Sequence, residues 1–204
     1  FNPPSQTCKV KAVCSTHRAY LLRVQSDVQL PAPPEEGGEP DVRICRRSLS
    51  VREQAGDLVL HASSDASLGR DAETFIKDQG HVITGGIYDE LYFVVQHGDT
   101  IYYNLRKPLA DGVLQSYLFG VLLATLLRQR GFLVLHACSV ARDGEAIAFV
   151  GESGWGKSTL AEYFCQQGYT LLTDDVMAID AQGDGHPHVI PGYPQIRLRT
   201  QAGR

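Results

Sequence analysis

One stretch of the sequence, AIAFVGESGWGKSTLAEYF at 146–164, most constrains the fold. A short apolar strand leads into a glycine-rich loop, and a helix that Gly168 closes follows the loop. The loop fits the pattern GxxxxGK[ST], with Gly151, Gly156, Lys157 and Ser158 at the fixed positions. Because the N–H groups at the start of a helix attract anions, this strand, loop and helix predict a phosphate-binding unit.

The pattern also assigns roles within the loop. Backbone N–H groups from 153 to 158 are expected to point at a β-phosphate, Lys157 to bridge the outer phosphates, and the Ser158 hydroxyl to ligate magnesium. Trp155, the only tryptophan, either stacks near the nucleotide or packs against a neighbouring subunit. The predicted nucleotide-binding residues are Gly151, Ser153, Gly154, Trp155, Gly156, Lys157, Ser158 and Thr159.

A pair of carboxylates follows closely, in YTLLTDD at 169–175. We expect this segment to be a buried strand that returns beside the loop strand, which would bring Asp174 and Asp175 next to the phosphates. Adjacent residues on a strand point to opposite faces, so one carboxylate is expected to hold metal and the other to accept a hydroxyl proton. The alternative is a turn in which the pair caps a helix.

Histidines are the other candidates for chemistry. His136 lies in FLVLHACSV at 132–140, a strand predicted to precede the loop strand across a turn at Asp143 and Gly144. A lone histidine on an apolar strand either faces the γ-phosphate or is a satisfied core residue. His186 and His188 are predicted to be solvent-exposed.

Residues 1–108 are predicted to be β-rich and to supply scaffold or partner surface without a catalytic constellation. The clearest element is a hairpin of ELYFVVQ and TIYYNL, joined by HGD at 97–99. PAPPEEGGEP at 31–40 predicts an exposed loop. A helix is then expected over 111–131, capped by Asp111 and ended by Gly131.

Composition excludes several classes of function. A net charge of -4 gives no general basic field for nucleic acid, and the longest apolar run, at 117–127, is too short to cross a bilayer. No charged-then-apolar leader opens the chain, which begins with Phe, so we expect no signal peptide and a trimmed chain that is incomplete at its C-terminus. An odd number of scattered cysteines is typical of the reducing cytosol, where they act as small hydrophobes: Cys8, Cys14, Cys45, Cys138 and Cys165.

The strand with His136, the loop GESGWGKST and the nearby GYTLLTDD together resemble the C-terminal catalytic domain of bacterial HPr serine kinase/phosphorylase. The short spacing from the loop to the two aspartates is the discriminating mark, and the resemblance covers about 112–200. It implies an α/β fold with an HPr kinase/phosphoenolpyruvate carboxykinase-like P-loop core over 109–204, after the β-rich region.

The resemblance implies transfer of the γ-phosphate of ATP, with magnesium, to a serine of a protein or peptide. By position, Asp174 matches the family's general base and Asp175 its metal carboxylate, while His136 matches the histidine near the γ-phosphate. Lys157 and Ser158 match the phosphate and metal residues. The expected catalytic residues are therefore His136, Lys157, Asp174 and Asp175, with Ser158 and Asp175 on the metal.

Residues 1–108 depart from the regulatory domain of that kinase and are closer to divergent HPr-kinase-like proteins, among them tailoring kinases of lasso peptide biosynthesis. The chain also stops before the region where that enzyme carries its phosphorylase loop, so the resemblance does not extend to dephosphorylation, which is left open. We expect a cytoplasmic protein, and the resemblance implies a homo-oligomer. Two alternatives stay open: a nucleotide-sensing or peptide-binding module without turnover, and a kinase of a small hydroxylated metabolite.

Overall fold

The structure, a computed structural model, describes residues 14–49, 75–78, 81–87, 90–182 and 185–192, with the backbone alone at 75–78. Cys8 and the C-terminal segment from 193 onward lie outside these ranges. The described residues form two β-sheets with one long helix between residues 111 and 129 and a shorter helix after the glycine-rich loop.

Seven strands from the first half of the chain make one sheet. They are β1 (Ser15–Ala19), β2 (Leu22–Ser26), β3 (Val42–Arg46), β4 (Phe75–Asp78), β5 (Val82–Ile87), β6 (Leu91–Gln96) and β7 (Thr100–Leu105). Their order is β1-β2-β3-β7-β6-β5-β4. The sheet is mixed, because β3 lies parallel to both β2 and β7 while the other neighbours are antiparallel.

The predicted hairpin is confirmed as β6 and β7, which pair from Leu91 with Leu105 to Gln96 with Thr100. Its turn uses left-handed backbone at His97 and Gly98. Every second residue of β6 is fully buried, so the alternation of the sequence turns one face of the strand toward the core.

The hairpin of β1 and β2 turns through Tyr20 and Leu21, which have φ angles of 53° and 60°. A two-residue turn with both residues left-handed follows the twist of the strands and is usually made by Asn-Gly. Side chains with a Cβ disfavour this backbone by about 1–2 kcal/mol per residue. Tyr20 nevertheless occupies the turn, and its side chain is buried.

The long helix consists of α1 (Asp111–Tyr117), a π-helical stretch at Leu118–Leu122, and α2 (Leu123–Gln129). It occupies the predicted region, but Asp111 is its first helical residue and does not cap it, since Ala110 takes the cap position without a side-chain hydrogen bond. Gly131, with a φ of 90°, follows the helix end as predicted.

One hydrophobic core joins the helix to both sheets. It crosses the predicted domain boundary at residue 108, because the helix packs on strands from before it and from after it. The principal buried side chains are Tyr20, Val24, Ile44, Phe93, Val95, Ile101, Leu114, Leu118, Leu122, Leu126, Val176 and Ala178.

The second sheet has β8 (Leu133–Arg142) at its centre. Its other strands are β9 (Glu145–Val150), β10 (Thr170–Thr173), β11 (Val176–Asp180) and β12 (His188–Ile190), and α3 (Lys157–Gln166) connects β9 to β10. β9 pairs with one edge of β8, β10 and β11 pair with successive parts of the other edge, and β12 pairs with β11. All of these pairs are antiparallel.

The prediction that the strand of YTLLTDD lies directly beside the loop strand is wrong, because β8 lies between β9 and β10. A tight turn at Asp143 and Gly144, both left-handed, folds β9 back onto β8 and leaves the other edge of β8 for β10. β9 and β10 are each antiparallel to β8, so they run in the same direction. Their carboxyl ends therefore still lie close together, opposite Ala137 and Ser139 in the middle of β8.

The second sheet is also more exposed than predicted. β9 is largely solvent-exposed although its sequence is apolar, and β10 is only partly buried although it was predicted as a buried strand. Ala161 and Phe164 of α3 cover one face of β8 at Cys138 and Val140, which forms a smaller core of its own. Within the described ranges, no helix combines the length and the apolar character needed to span a membrane.

Leu122 tests whether the long helix holds the two sheets together. Leu122→Ala removes a fully buried side chain and should lower the free energy of unfolding in urea by about 2–5 kcal/mol. Its exposed neighbour is the control, since Val121→Ala should change stability by about 0.5 kcal/mol or less. Both variants should unfold in one transition, and separate transitions for the two sheets would contradict the shared core.

Candidate phosphate-binding site

The loop between β9 and α3 has the backbone that its glycines predict. Gly154 and Gly156 have φ angles of 89° and 85°, and Gly156 directly precedes the helix. The left-handed residue at 156 turns the chain so that the N–H groups of the first turn of α3 face the loop. Those N–H groups have no partner within the helix, which makes them donors for an anion.

Lys157 lies across the loop. Its Nζ donates hydrogen bonds to the carbonyl oxygens of Gly151 and Glu152 at 2.8 and 3.0 Å. The ammonium group therefore closes the loop on itself and lies beside the N-terminus of α3. At that position its charge would meet an anion held by the loop.

Trp155 is 73% exposed, and its ring packs back over the first glycine of the loop. A Cβ on Gly151 would lie only 3.3 Å from Cε3 of the indole. A larger residue at 151 would therefore push the indole away. Because the indole is exposed to solvent and packs against the loop backbone, its fluorescence should change when the loop binds a ligand.

Cys138 joins the loop helix to the carboxylates. Its Sγ donates hydrogen bonds to Oδ1 and to the backbone carbonyl of Asp174, at 2.9 and 3.1 Å, and lies 3.8 Å from Oγ of Ser158. The thiol is fully buried between β8 and α3. Ser158 and Asp174, which belong to different elements, thus contact the same sulfur atom.

A bulge in β10 sets this contact. Leu171 pairs with Val140, but Thr173 pairs with Ser139, so two residues of β10 oppose one of β8. The extra residue shifts the register by one, and Asp174 consequently arrives beside Cys138. The sequence contains no signal that we recognise for this bulge.

His136 and Asp175 form a second pair, with 2.8 Å between Nδ1 of the histidine and Oδ1 of the aspartate. Their side chains are 57% and 44% exposed. The interpretation of His136 as a core residue is therefore wrong, and a position opposite the γ-phosphate stays a prediction. The strand position of His136 is exposed, whereas Cys138 and Val140, farther along the same face of β8, are covered by α3.

The two carboxylates have different environments, as their adjacent positions predict. Asp174 is 8% exposed and faces Cys138, whereas Asp175 faces His136 and solvent. The backbone N–H of Ala137 donates to the carbonyl of Asp175, which ties the turn to β8. Gly120, in the π-helical stretch, lies on the other side, where a Cβ would be 3.9 Å from Oδ2 of Asp175.

The structure thus brings Lys157, Ser158, Asp174, Asp175 and His136 together beside the middle of β8, where β9 and β10 end. Ser153 in the loop and Thr159 in α3 are both exposed, and no contact of either side chain indicates a role. His186 and His188 are exposed, as predicted. Cys138, interpreted from sequence as a small hydrophobe, proves to be part of the site. Its only sequence signal is its position two residues after His136, on the same face of the strand.

In the part of the chain that the structure describes, no group of three or more His, Cys, Asp and Glu side chains could hold a metal ion. Magnesium commonly binds through one or two carboxylates together with substrate phosphates and water, which is what Ser158 and an aspartate beside a phosphate loop can offer.

Comparison of the chain with models of protein families, with curated proteins and with solved structures found no match. The fold class and the resemblance to HPr kinase accordingly stay predictions, which rest on the motifs and on the geometry described above.

Gly156 tests the loop backbone. Gly156→Ala places a Cβ on left-handed backbone and should lower the free energy of unfolding by about 1–2 kcal/mol, measured in urea. Gly112→Ala in the first turn of α1 is the matched control, because nothing lies within 4 Å of its added Cβ. That variant should gain about 0.4–1 kcal/mol. Equal effects of the two substitutions would argue against the loop conformation.

The Cys138 thiol should make stability depend on alkaline pH. Burial, and after it the neighbouring Asp174, raises the pKa of Cys138 from 9.0 to about 12. The folded protein therefore keeps this proton where the unfolded chain has lost it. The stabilisation is fully present below pH 9.0 and is lost as pH rises from there toward about 12.

Cys138→Ser keeps a donor for Asp174 but has no thiol to titrate. Urea unfolding of both proteins between about pH 7 and pH 10.5 should show a steeper alkaline loss of stability in the native sequence. Tyr20 and Tyr103, whose pKa values are also raised by burial, are present in both proteins and cancel in the difference. Superimposable pH profiles would contradict the assignment.

Proposed function

We propose that the protein is an ATP- and magnesium-dependent serine kinase that phosphorylates a protein or peptide. The candidate substrates are an HPr-like protein and a ribosomally made precursor peptide, such as that of a lasso peptide. One observation carries the proposal: the glycine-rich loop and the two aspartates meet beside the middle of β8, with Cys138 in contact with both Ser158 and Asp174. Binding of a phosphate requires only the loop, whereas phosphoryl transfer also needs a carboxylate beside it.

The loop supplies the nucleotide site in this proposal. The N–H groups at the start of α3 bind the phosphate oxygens of ATP. Lys157 releases its hydrogen bonds to the carbonyls of Gly151 and Glu152 and binds the outer phosphates instead. Ser158 and Asp175 would hold magnesium, which supplies positive charge against the phosphate oxygens when it is bound. His136, paired with Asp175, orients that carboxylate.

Asp174 acts as the base. Its carboxylate accepts the proton of the serine hydroxyl as the serine oxygen bonds to the γ-phosphorus and the bond from that phosphorus to the bridging oxygen breaks, which releases ADP. Asp174 suits this task because it is held by Cys138 away from the metal carboxylate. Two carboxylates with separate partners can carry separate roles.

Two measurements on one set of proteins test the proposal. Trp155 is the only tryptophan, so its fluorescence should change on titration with ATP and magnesium. Incubation with ATP labelled at the γ-phosphate and a library of serine peptides should transfer the label. Asp174→Asn should retain the fluorescence change but lower transfer by about a hundredfold or more, because it removes the base.

Asp143→Asn makes the same chemical change in the exposed turn at the other end of β9 and should leave both measurements unchanged. The proposal fails if ATP leaves the fluorescence unchanged, or if Asp174→Asn transfers phosphate at the native rate. Nucleotide binding without transfer to any peptide would favour the nucleotide-sensing alternative, and transfer to a small hydroxylated compound would favour the metabolite kinase.

A further inference from the structure

The seven-stranded sheet contacts the carboxylate turn directly. Tyr20, in the turn between β1 and β2, donates a hydrogen bond from its hydroxyl to the backbone carbonyl of Val176 at 2.6 Å. These residues are 156 positions apart in the sequence. Val176 immediately follows Asp175, so the hydroxyl of Tyr20 bonds to the backbone at the end of the turn that contains both aspartates.

The same carbonyl accepts a second hydrogen bond from within the turn. Oγ1 of Thr173 donates to it at 2.7 Å and thereby closes the four residues from Thr173 to Val176 on themselves. Tyr20 and Thr173 together occupy both lone pairs of the Val176 carbonyl. The backbone at both ends of the Asp174–Asp175 pair is consequently fixed by hydrogen bonds.

The tyrosine ring has no freedom to move away from this position. A Cβ on Gly192 would lie 3.0 Å from Cε1 and Cζ of Tyr20 and 3.1 Å from Oγ1 of Thr173. Gly192 is held there by its own N–H, which donates to the carbonyl of Leu172. Only glycine allows the backbone to approach this closely, so the ring is enclosed between Gly192 and the carboxylate turn.

The hydroxyl remains a donor at any ordinary pH. Burial, and to a lesser degree the charge of Asp175, raises the pKa of Tyr20 well above its usual value. The left-handed backbone at Tyr20 and Leu21 is unfavourable for both side chains. Unfavourable backbone that persists in a structure is a reason to look for a function.

We propose that Tyr20 is a positioning residue, which holds the Asp174–Asp175 turn in the geometry that binds the magnesium–nucleotide. The seven-stranded sheet is then part of the reaction centre, although the sequence indicated only scaffold or partner surface. The link to magnesium rests on the proposed function. The link between Tyr20 and the turn rests on the hydrogen bond and the packing alone.

Tyr20→Phe tests the proposal because it keeps the ring and removes the hydroxyl. Tyr103→Phe is the matched control: it removes the hydroxyl of another buried tyrosine of the same sheet, which bonds to Asp27 and not to the turn. The rate of amide hydrogen exchange in the segment 173–177 measures how rigidly the turn is held. Trp155 fluorescence reads the affinity for ADP with magnesium and for ADP with EDTA.

Loss of one hydrogen bond should speed exchange of the segment by about threefold to tenfold in Tyr20→Phe. Affinity for ADP with magnesium should fall by a similar factor, whereas affinity for ADP with EDTA should not change, because the loop and Lys157 are untouched. Tyr103→Phe should behave as the native protein in both measurements. Thr173→Val, which removes the second donor to Val176, should reproduce the effect of Tyr20→Phe.

Native exchange in Tyr20→Phe would overturn the proposal, as would an equal loss of affinity with and without magnesium or the same effects in Tyr103→Phe. Failure of the proposed function has a different signature, since the native protein would then show no fluorescence change with any nucleotide. In that case the exchange measurement still decides whether Tyr20 orders the turn.

Discussion

Pairing along both edges of β8 is the constraint on which the rest of the structure depends. One edge carries β9, and the other carries first β11 and then β10. Since β9 and β10 are both antiparallel to β8, the loop that leaves β9 and the turn that leaves β10 emerge close together, beside the middle of β8. The residues of β8 between them, His136 and Cys138, therefore contact one aspartate each.

The carboxylate turn is held from two directions, and each direction belongs to a different part of the core. Cys138 contacts Asp174 from the side covered by α3, in the smaller cluster. Tyr20 reaches the base of the turn from the large cluster that the long helix shares with both sheets. Hydrogen bonds between buried groups are costly to leave unmade, so both contacts also restrict the conformations of the turn.

Much of this arrangement follows from local patterns. The alternation of β6 and β7 around a glycine turn, the apolar helix ending near Gly131, and the strand, loop and helix at 146–166 are all present as predicted. Each depends on neighbouring residues: on a period of two, on helical spacing, or on a glycine that must be left-handed at 156. The partner of β10 could not be found in this way, because β8 and β9 offer similar edges to an incoming strand.

The sequence by itself determined the strand, loop and helix at 146–166 and the identity of the groups near the glycine-rich loop: a lysine, a serine, two aspartates and a histidine. Only the tertiary structure decided how they are paired. A single bulge in β10 brings Asp174 into contact with Cys138. The turn between β1 and β2, from the other half of the chain, brings the hydroxyl of Tyr20 to the carbonyl of Val176, next to both aspartates. Such contacts depend on register and on packing between residues far apart in the chain, which no local pattern of residues records.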